Sequence, residues 1–186
     1  MKEPFQRSEK KTMNSREEQK NKWDHRFLEL VQLVASWSKD PSTKTGAVIV
    51  DSDRRVVSVG YNGLAKGVYD NRERYADRDV KYKMIVHCER NAIIFAHRDL
   101  AGCTLYTYPF MSCAPCAGMV IQSGITRCVA PRNENPRWIE DFEISKQMFE
   151  EAGVALSLLE FSSLGGTSWS AGDLNNANFG VASNET

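Results

Sequence analysis

Residues 103–130, CTLYTYPFMSCAPCAGMVIQSGITRCVA, decide the fold. They begin with a short aromatic and β-branched run, 103–108, and end with a second short apolar run, 126–130; between them lies a segment of helical periodicity, from Pro115 to Ser123. Pro115 suits a first helical turn, where its missing N–H is not needed, and Gly124 suits the position just past a helix end. Strand, helix and strand in so few residues imply a right-handed crossover between parallel neighbours. The junction between the first strand and the helix carries a CxxC, Cys113 and Cys116.

Downstream, a helical pattern at about residues 138–152 is closed by Gly153 and leads to VALSLLEF, 154–161, which reads as a last strand. Upstream, a helix is expected at about residues 86–96. Before it comes a polar stretch, 64–83, expected to form a flap over any pocket. TGAVIVD (45–51) and RVVSVGY (55–61), joined around Ser52 and Asp53, read as a hairpin. Trp23, Phe27, Leu30, Val31 and Val34 recur at helical spacing and mark a first amphipathic helix. The expected architecture is α/β, a three-layer α/β/α sandwich whose mixed sheet becomes parallel after its opening hairpin.

Residues 1–20 are highly charged and read as a flexible extension. Half of residues 162–186 are Gly, Ser or Asn, and this stretch reads as a tail, leaving a single domain over residues 21–161. The first 26 residues carry 13 charges, unlike a signal peptide, and no later segment approaches the length needed to span a bilayer, so a cytoplasmic protein is expected. With 24 basic against 24 acidic side chains there is no global field to draw in a polyanion, so neither a nucleic-acid partner nor a membrane is expected. Five cysteines, an odd number, point away from a disulfide framework.

The stretch MIVHCERNAIIFAH, 84–97, places His87 at the start of the upstream helix, the position that Cys113 occupies at the next one. Thiolates near a helix N-terminus are stabilised by unpaired N–H groups and by the dipole. In a parallel α/β sheet the ends of adjacent strands bring such helix starts together, so His87, Cys113 and Cys116 are expected to converge on one metal ion. Three protein ligands leave the fourth position of a tetrahedral zinc open for water, which is the pattern of a catalytic site. Glu89, two residues beyond His87, is placed to move protons without ligating the ion. Cys88, Cys103 and Cys128 read as small buried hydrophobes, His25 as solvent-facing and His97 as a helix-end residue.

In this order, DPSTKTGAVIVD (40–51), SVGYNG (58–63), HCERNAI (87–93) and CAPCAGMVIQSGI (113–125) resemble the zinc-dependent deoxycytidylate deaminases of the cytidine deaminase superfamily, over roughly Trp23 to Phe161. The chain departs from the usual pattern in having Cys88 between the histidine and the glutamate, Ser112 before the first thiolate, and one extra residue in TYPFMSC. The resemblance implies Zn2+ held by His87, Cys113 and Cys116, with Glu89 as proton shuttle while a zinc-bound hydroxide attacks C4 of the cytosine of dCMP, giving dUMP and ammonia. It further implies that Asn62 contacts the sugar hydroxyl, that Ala47 lets the backbone approach the base, and that Arg98, eleven residues after His87, takes part in nucleotide binding. Lys44, Lys66 and Arg90 are further candidates for holding phosphate. A homo-oligomer and dCTP or dTTP effectors also follow from the resemblance. Two alternatives remain open from sequence: a tRNA adenosine or single-stranded DNA cytosine deaminase with the same metal site, and a non-catalytic zinc protein that binds nucleotides.

Overall fold

The computed structural model describes the backbone of residues 4–133 and 135–161, with side chains from residue 19 onward; the stretch 162–186 lies outside the described residues. Helix α1 runs from Pro4 to Ser36 and so takes in most of the segment expected to be a flexible extension. That segment is rich in Glu, Lys, Gln and Arg, whose straight side chains lose little rotamer freedom in a helix, so strong charge and helix formation are compatible.

Strands β1 (Gly46–Val50) and β2 (Val56–Tyr61) form the expected antiparallel hairpin, with Val48 opposite Val59. The stretch expected to be a flap holds β3 (Gly63–Leu64) and two short helices, α2 (Arg72–Ala76) and α3 (Arg78–Met84), whose N-caps are the side chains of Asn71 and Asp77. β4 (Ile85–Val86) pairs with β3 and delivers the chain to α4 (Cys88–Ala96). β5 (Thr104–Tyr108), α5 (Ala114–Gln122) and β6 (Arg127–Pro131) form the crossover, and a 3-10 turn at Pro136–Trp138 leads into α6 (Ile139–Glu151) and β7 (Ala155–Leu159).

The main sheet has the order β2-β1-β5-β6-β7, antiparallel up to β5 and parallel from β5 to β7. β1 is buried at every position, the mark of a central strand covered on both faces. Alternation along the strands divides their side chains between two cores. Val48, Val50, Tyr106 and Val129 meet Phe27, Leu28, Val31 and Val34 of α1, whereas Ala47, Ile49, Leu105 and Cys128 meet α4, α5 and α6. The layers are therefore α/β/α, as the periodicity implied.

A charged lock ties α1 to the sheet. Asp24 is 2% exposed and accepts from both Arg127 terminal nitrogens, at 2.9 and 2.6 Å, and from the Tyr106 hydroxyl at 2.7 Å. This bidentate geometry is the one in which a buried guanidinium and carboxylate offset their desolvation.

Two glycines fix how closely the hairpin approaches the helices. A Cβ on Gly46 would lie 2.5 Å from the Val31 carbonyl oxygen of α1, and one on Gly60 would lie 2.4 Å from both the Cys88 carbonyl oxygen and the Ala92 nitrogen of α4. These neighbours are backbone and cannot rotate away. Gly60→Ala is therefore expected to cost about 1–3 kcal/mol or more. It should also push the start of α4, with His87 and Glu89, off its seat. Urea unfolding and zinc content measured on the same variant check both effects; unchanged values would mean that the helix has room to retreat.

Candidate active site

His87 and Cys113 occupy equivalent places. Each is the extended residue before a helix, with φ −69 and ψ 155 for His87 and φ −69 and ψ 162 for Cys113, and neither side chain caps its own helix. Both are thus free to turn toward each other. Cys116 follows one turn later and is fully buried. The His87 Nδ1 lies 3.4 Å from the Sγ of Cys113 and 3.4 Å from the Sγ of Cys116, and all three ligand atoms fall within 4.8 Å of one another.

That spacing fits zinc. Tetrahedral bonds of about 2.3 Å to sulfur and about 2.0–2.1 Å to nitrogen place N and S roughly 3.6 Å apart. The donor set of one imidazole and two thiols also matches the softness of the ion. Electrostatics within the cluster point the same way: the Cys116 thiol, donating to Cys113, lowers the Cys113 pKa well below the ordinary thiol value, helped by His87 and opposed by burial. Cys116 is raised in turn by the charge it faces and by burial. A lowered Cys113 beside a raised Cys116 is the electrostatic pattern of a site that favours a cation.

Glu89 is 5% exposed and lines the same cavity as His87 and Cys113. The Cys88 thiol donates to its Oε2 at 3.1 Å. Cys88 is buried as expected, yet it is also a wall of the cavity and a partner of Glu89. Burial and the adjacent carboxylate keep its thiol protonated, which preserves the donor. Cys103 and Cys128 are buried in the core. His25 is exposed, and His97 caps α4 in the left-handed conformation with φ 49.

Asn62 is 5% exposed and reaches the cavity from the end of β2. Its Oδ1 accepts from the Thr45 backbone at 2.8 Å, and its Nδ2 donates to the Thr43 carbonyl at 2.9 Å and to Asp40 Oδ2 at 3.2 Å. Both amide protons are thus spent on the loop 40–45, and a ligand would find the second lone pair of Oδ1. Asp40 anchors this arrangement. Buried to 1% exposure, it also accepts from Lys81 Nζ at 2.9 Å and from the Ser42 backbone at 2.9 Å. Burial pushes its pKa up, but Lys81 and Ser42 outweigh that and hold it below the ordinary carboxylate value.

The other residues expected to bind substrate stand elsewhere. Ala47 is wholly buried in the core between β1 and the helices and lines no part of the cavity. Arg98 lies past the far end of α4, exposed, with Nε donating to the Asp99 carbonyl at 3.3 Å. Nine helical residues at about 1.5 Å each separate that end from the metal ligands. Lys44 Nζ donates to the Ser36 carbonyl at 3.2 Å, at the end of α1, and Lys66 is exposed outside the cavity. Arg90 is half-buried, with its Nε enclosed and unpartnered, and does not line the cavity either.

The cations that do line it are Lys81 and Arg137, with Tyr82, Tyr108, Phe110 and Trp138 as aromatic walls. Sequence reasoning placed the flap over the pocket but singled out none of these residues. The one available signal was the pairing of arginine with tryptophan in NPRW, 135–138, which has no apolar periodicity to explain it.

The family model for the cytidine and deoxycytidylate deaminase zinc-binding region matches residues 21–131. An uncharacterized deaminase of Aliivibrio fischeri is 44% identical over 142 residues, covering 75% of this chain and 95% of that protein. The human deoxycytidylate deaminase is 36% identical over 138 residues, covering 71% of this chain and 76% of its own length. Among solved structures, the dCMP deaminase of cyanophage S-TIM5 in complex with dCMP and dUMP superimposes with a TM-score of 0.57 at 17% identity, over 72% of this chain and 93% of that one, a likeness of fold.

Proposed function

From the premise that the chain belongs to the cytidine and deoxycytidylate deaminase family of zinc-dependent hydrolytic enzymes, we propose that it deaminates dCMP to dUMP and ammonia in the cytoplasm, with His87, Cys113 and Cys116 holding the zinc and Glu89 moving the protons. The observation that carries this reading is the convergence of the three ligand atoms within 4.8 Å of one another beside a cavity lined by His87, Cys113 and Glu89. The substrate is supported by the activity named for the human relative.

Zinc in such a site supplies a Lewis acid with one open position, at which water becomes nucleophilic near neutral pH. Glu89 would take a proton from the attacking water and donate it to ring N3, which makes C4 electrophilic. It then carries the second proton of the water to the departing amino group, which leaves as ammonia. The balance is one water consumed and one ammonia released, with the carboxylate restored. Cys88 orients the carboxylate through Oε2 and leaves Oε1 for the reaction. Asn62, held by Asp40 and the backbone of Thr43 and Thr45, fixes the loop on which the nucleotide rests. Phe110, Trp138 and Tyr108 offer apolar faces for the base and exclude bulk water, which strengthens the charge interactions inside.

The reading extends to a homo-oligomer, supported by the exposed apolar side chains Tyr61, Ile94 and Phe95 on and beside α4. Ammonia release from cytidine, CMP, dCMP, dCTP and a cytosine-containing oligonucleotide, measured on protein of known zinc content, tests the assignment. dCMP is expected to give the highest kcat/KM; preference for the oligonucleotide, or zinc without turnover, would overturn it. Adding dCTP or dTTP to the dCMP assay tests regulation.

A further inference from the structure

We infer that Arg78 and Arg137, drawn to one aromatic ring, Tyr82, at the rim of the cavity, form the clamp that receives the 5′-phosphate of the nucleotide. The inference rests on the reading of the substrate as a nucleoside monophosphate.

Phosphate brings close to two negative charges, and a pocket that admits it needs cations whose donors are not already taken. Lys81 does not qualify. Its side chain is 9% exposed and its ammonium is held by Asp40 Oδ1 at 2.9 Å and by the Ser42 hydroxyl. Arg137 is the other cation lining the cavity, and it is exposed. Its guanidinium carbon lies 4.8 Å from the centroid of Trp138 and 5.5 Å from that of Tyr82. Arg78, the first residue of α3, places its own guanidinium carbon 5.4 Å from the Tyr82 centroid and donates from Nε to the Tyr82 hydroxyl at 3.3 Å.

Among the described residues, no carboxylate comes within salt-bridge distance of either arginine, whereas Lys81 beside them is neutralised by Asp40. Two guanidinium groups share one ring, then, with no acid between them. Burial, and after it the charge of Arg78, lower the pKa of Arg137, in keeping with two cations placed near one ring. Such an arrangement is costly alone and favourable around a dianion. The aromatic rings hold both guanidinium groups near the rim, and their terminal N–H groups, which make no hydrogen bond among the described residues, can contact phosphate oxygens in the bidentate manner that lysine cannot offer. The two arginines come from different elements, the flap helix α3 and the turn before α6, so a phosphate between them would also close the flap onto the base of the cavity.

The test compares the zinc-loaded wild type with Arg137→Gln, Arg78→Gln, the double variant and Arg137→Lys. Calorimetric affinity is measured for dUMP and deoxyuridine, and kcat/KM for dCMP and deoxycytidine, with unfolding midpoints to establish that each variant is folded. Each glutamine variant should lose about 10- to 100-fold in dUMP affinity and in kcat/KM for dCMP, as expected for removing a hydrogen bond to a charged group. Deoxyuridine binding and deoxycytidine turnover should not change, and Arg137→Lys should recover only part of the loss. A double variant that keeps the wild-type preference for the monophosphate, or that loses equally on the nucleoside, would overturn the clamp while leaving dCMP deamination standing. A wild type that binds dUMP through these arginines yet does not deaminate dCMP would support the clamp and reject the proposed substrate. Wild-type affinity equal for dUMP and deoxyuridine would overturn the clamp outright.

Discussion

Glu89→Gln is expected to lower kcat by between about 100- and 10,000-fold, the range for loss of a positioned general acid and base, while zinc content stays at the wild-type level. The amide keeps the size and one acceptor of the carboxylate, so the buried site has no cavity to fill. It cannot accept the first proton or deliver the second. The Cys88 thiol, which donates to Glu89 Oε2 at 3.1 Å, can still donate to the amide oxygen, so the local packing should survive. The informative measurement is the pair of values together: turnover of dCMP by ammonia release, and zinc by elemental analysis on the same sample. Loss of zinc would make Glu89 a ligand and not a proton shuttle. Retention of most of the rate would assign the proton transfers to another group.

Cys113→Ser and Cys116→Ser should each lose both zinc and turnover, and Cys103→Ala should lose neither. Metal binding of this kind is worth about 10–16 kcal/mol in small zinc domains near neutral pH; the part that depends on one thiolate vanishes when a hydroxyl, which stays protonated, takes its place. Cys116 is the more severe site. It is fully buried in the first turn of α5, whereas Cys113 is half-buried at the cavity wall. The unfolding midpoint should fall for both serine variants and should fall similarly for wild-type protein treated with a chelator, since zinc stabilises only the folded ligand geometry. Acid should act in the same direction, because protons compete with the ion for the thiolates and for His87. Equal zinc loss from Cys103→Ala, whose side chain is packed in the core away from the ligands, would mean that the ligand set has been misread.

One departure from the usual family pattern becomes intelligible in the fold. Cys88 stands where alanine is usual, and its thiol makes the contact to Glu89 that an alanine could not make. Ser112 stands where proline is usual; its backbone carbonyl accepts from the Ser145 hydroxyl of α6 at 2.8 Å, a bond that proline would also make, its own hydroxyl is buried without a partner, and nothing in the structure explains the serine. Both substitutions thus lie beside the proposed metal site without removing a donor from it.

How far the sequence reached by itself follows from the range of the forces involved. Helix starts at His87 and Cys113 are local events, set by Pro115, by a few apolar periodicities and by Gly124, so the residues that converge in space could be named in advance. The parallel crossover follows from strand, helix and strand in 28 residues, because handedness and short connections leave few alternatives. Charge pattern gave no sign of the helix at the N-terminus, since the residues that keep a chain solvated are also good helix formers. Which cations stand at the cavity lay beyond local rules altogether. Arg98 is eleven residues from His87 in sequence yet is carried away by the length of α4, while Arg137 and Tyr82, far apart in sequence, are brought within 5.5 Å. Asn62 was recognisable, but its partners Asp40, Thr43 and Thr45 were not, because they meet it only when the β1–β2 hairpin closes. Local sequence therefore determined which groups converge as candidate metal ligands and proton carrier; tertiary structure alone decided which cations face the cavity, since distance across a folded chain depends on how helices pack on a sheet and not on separation along it.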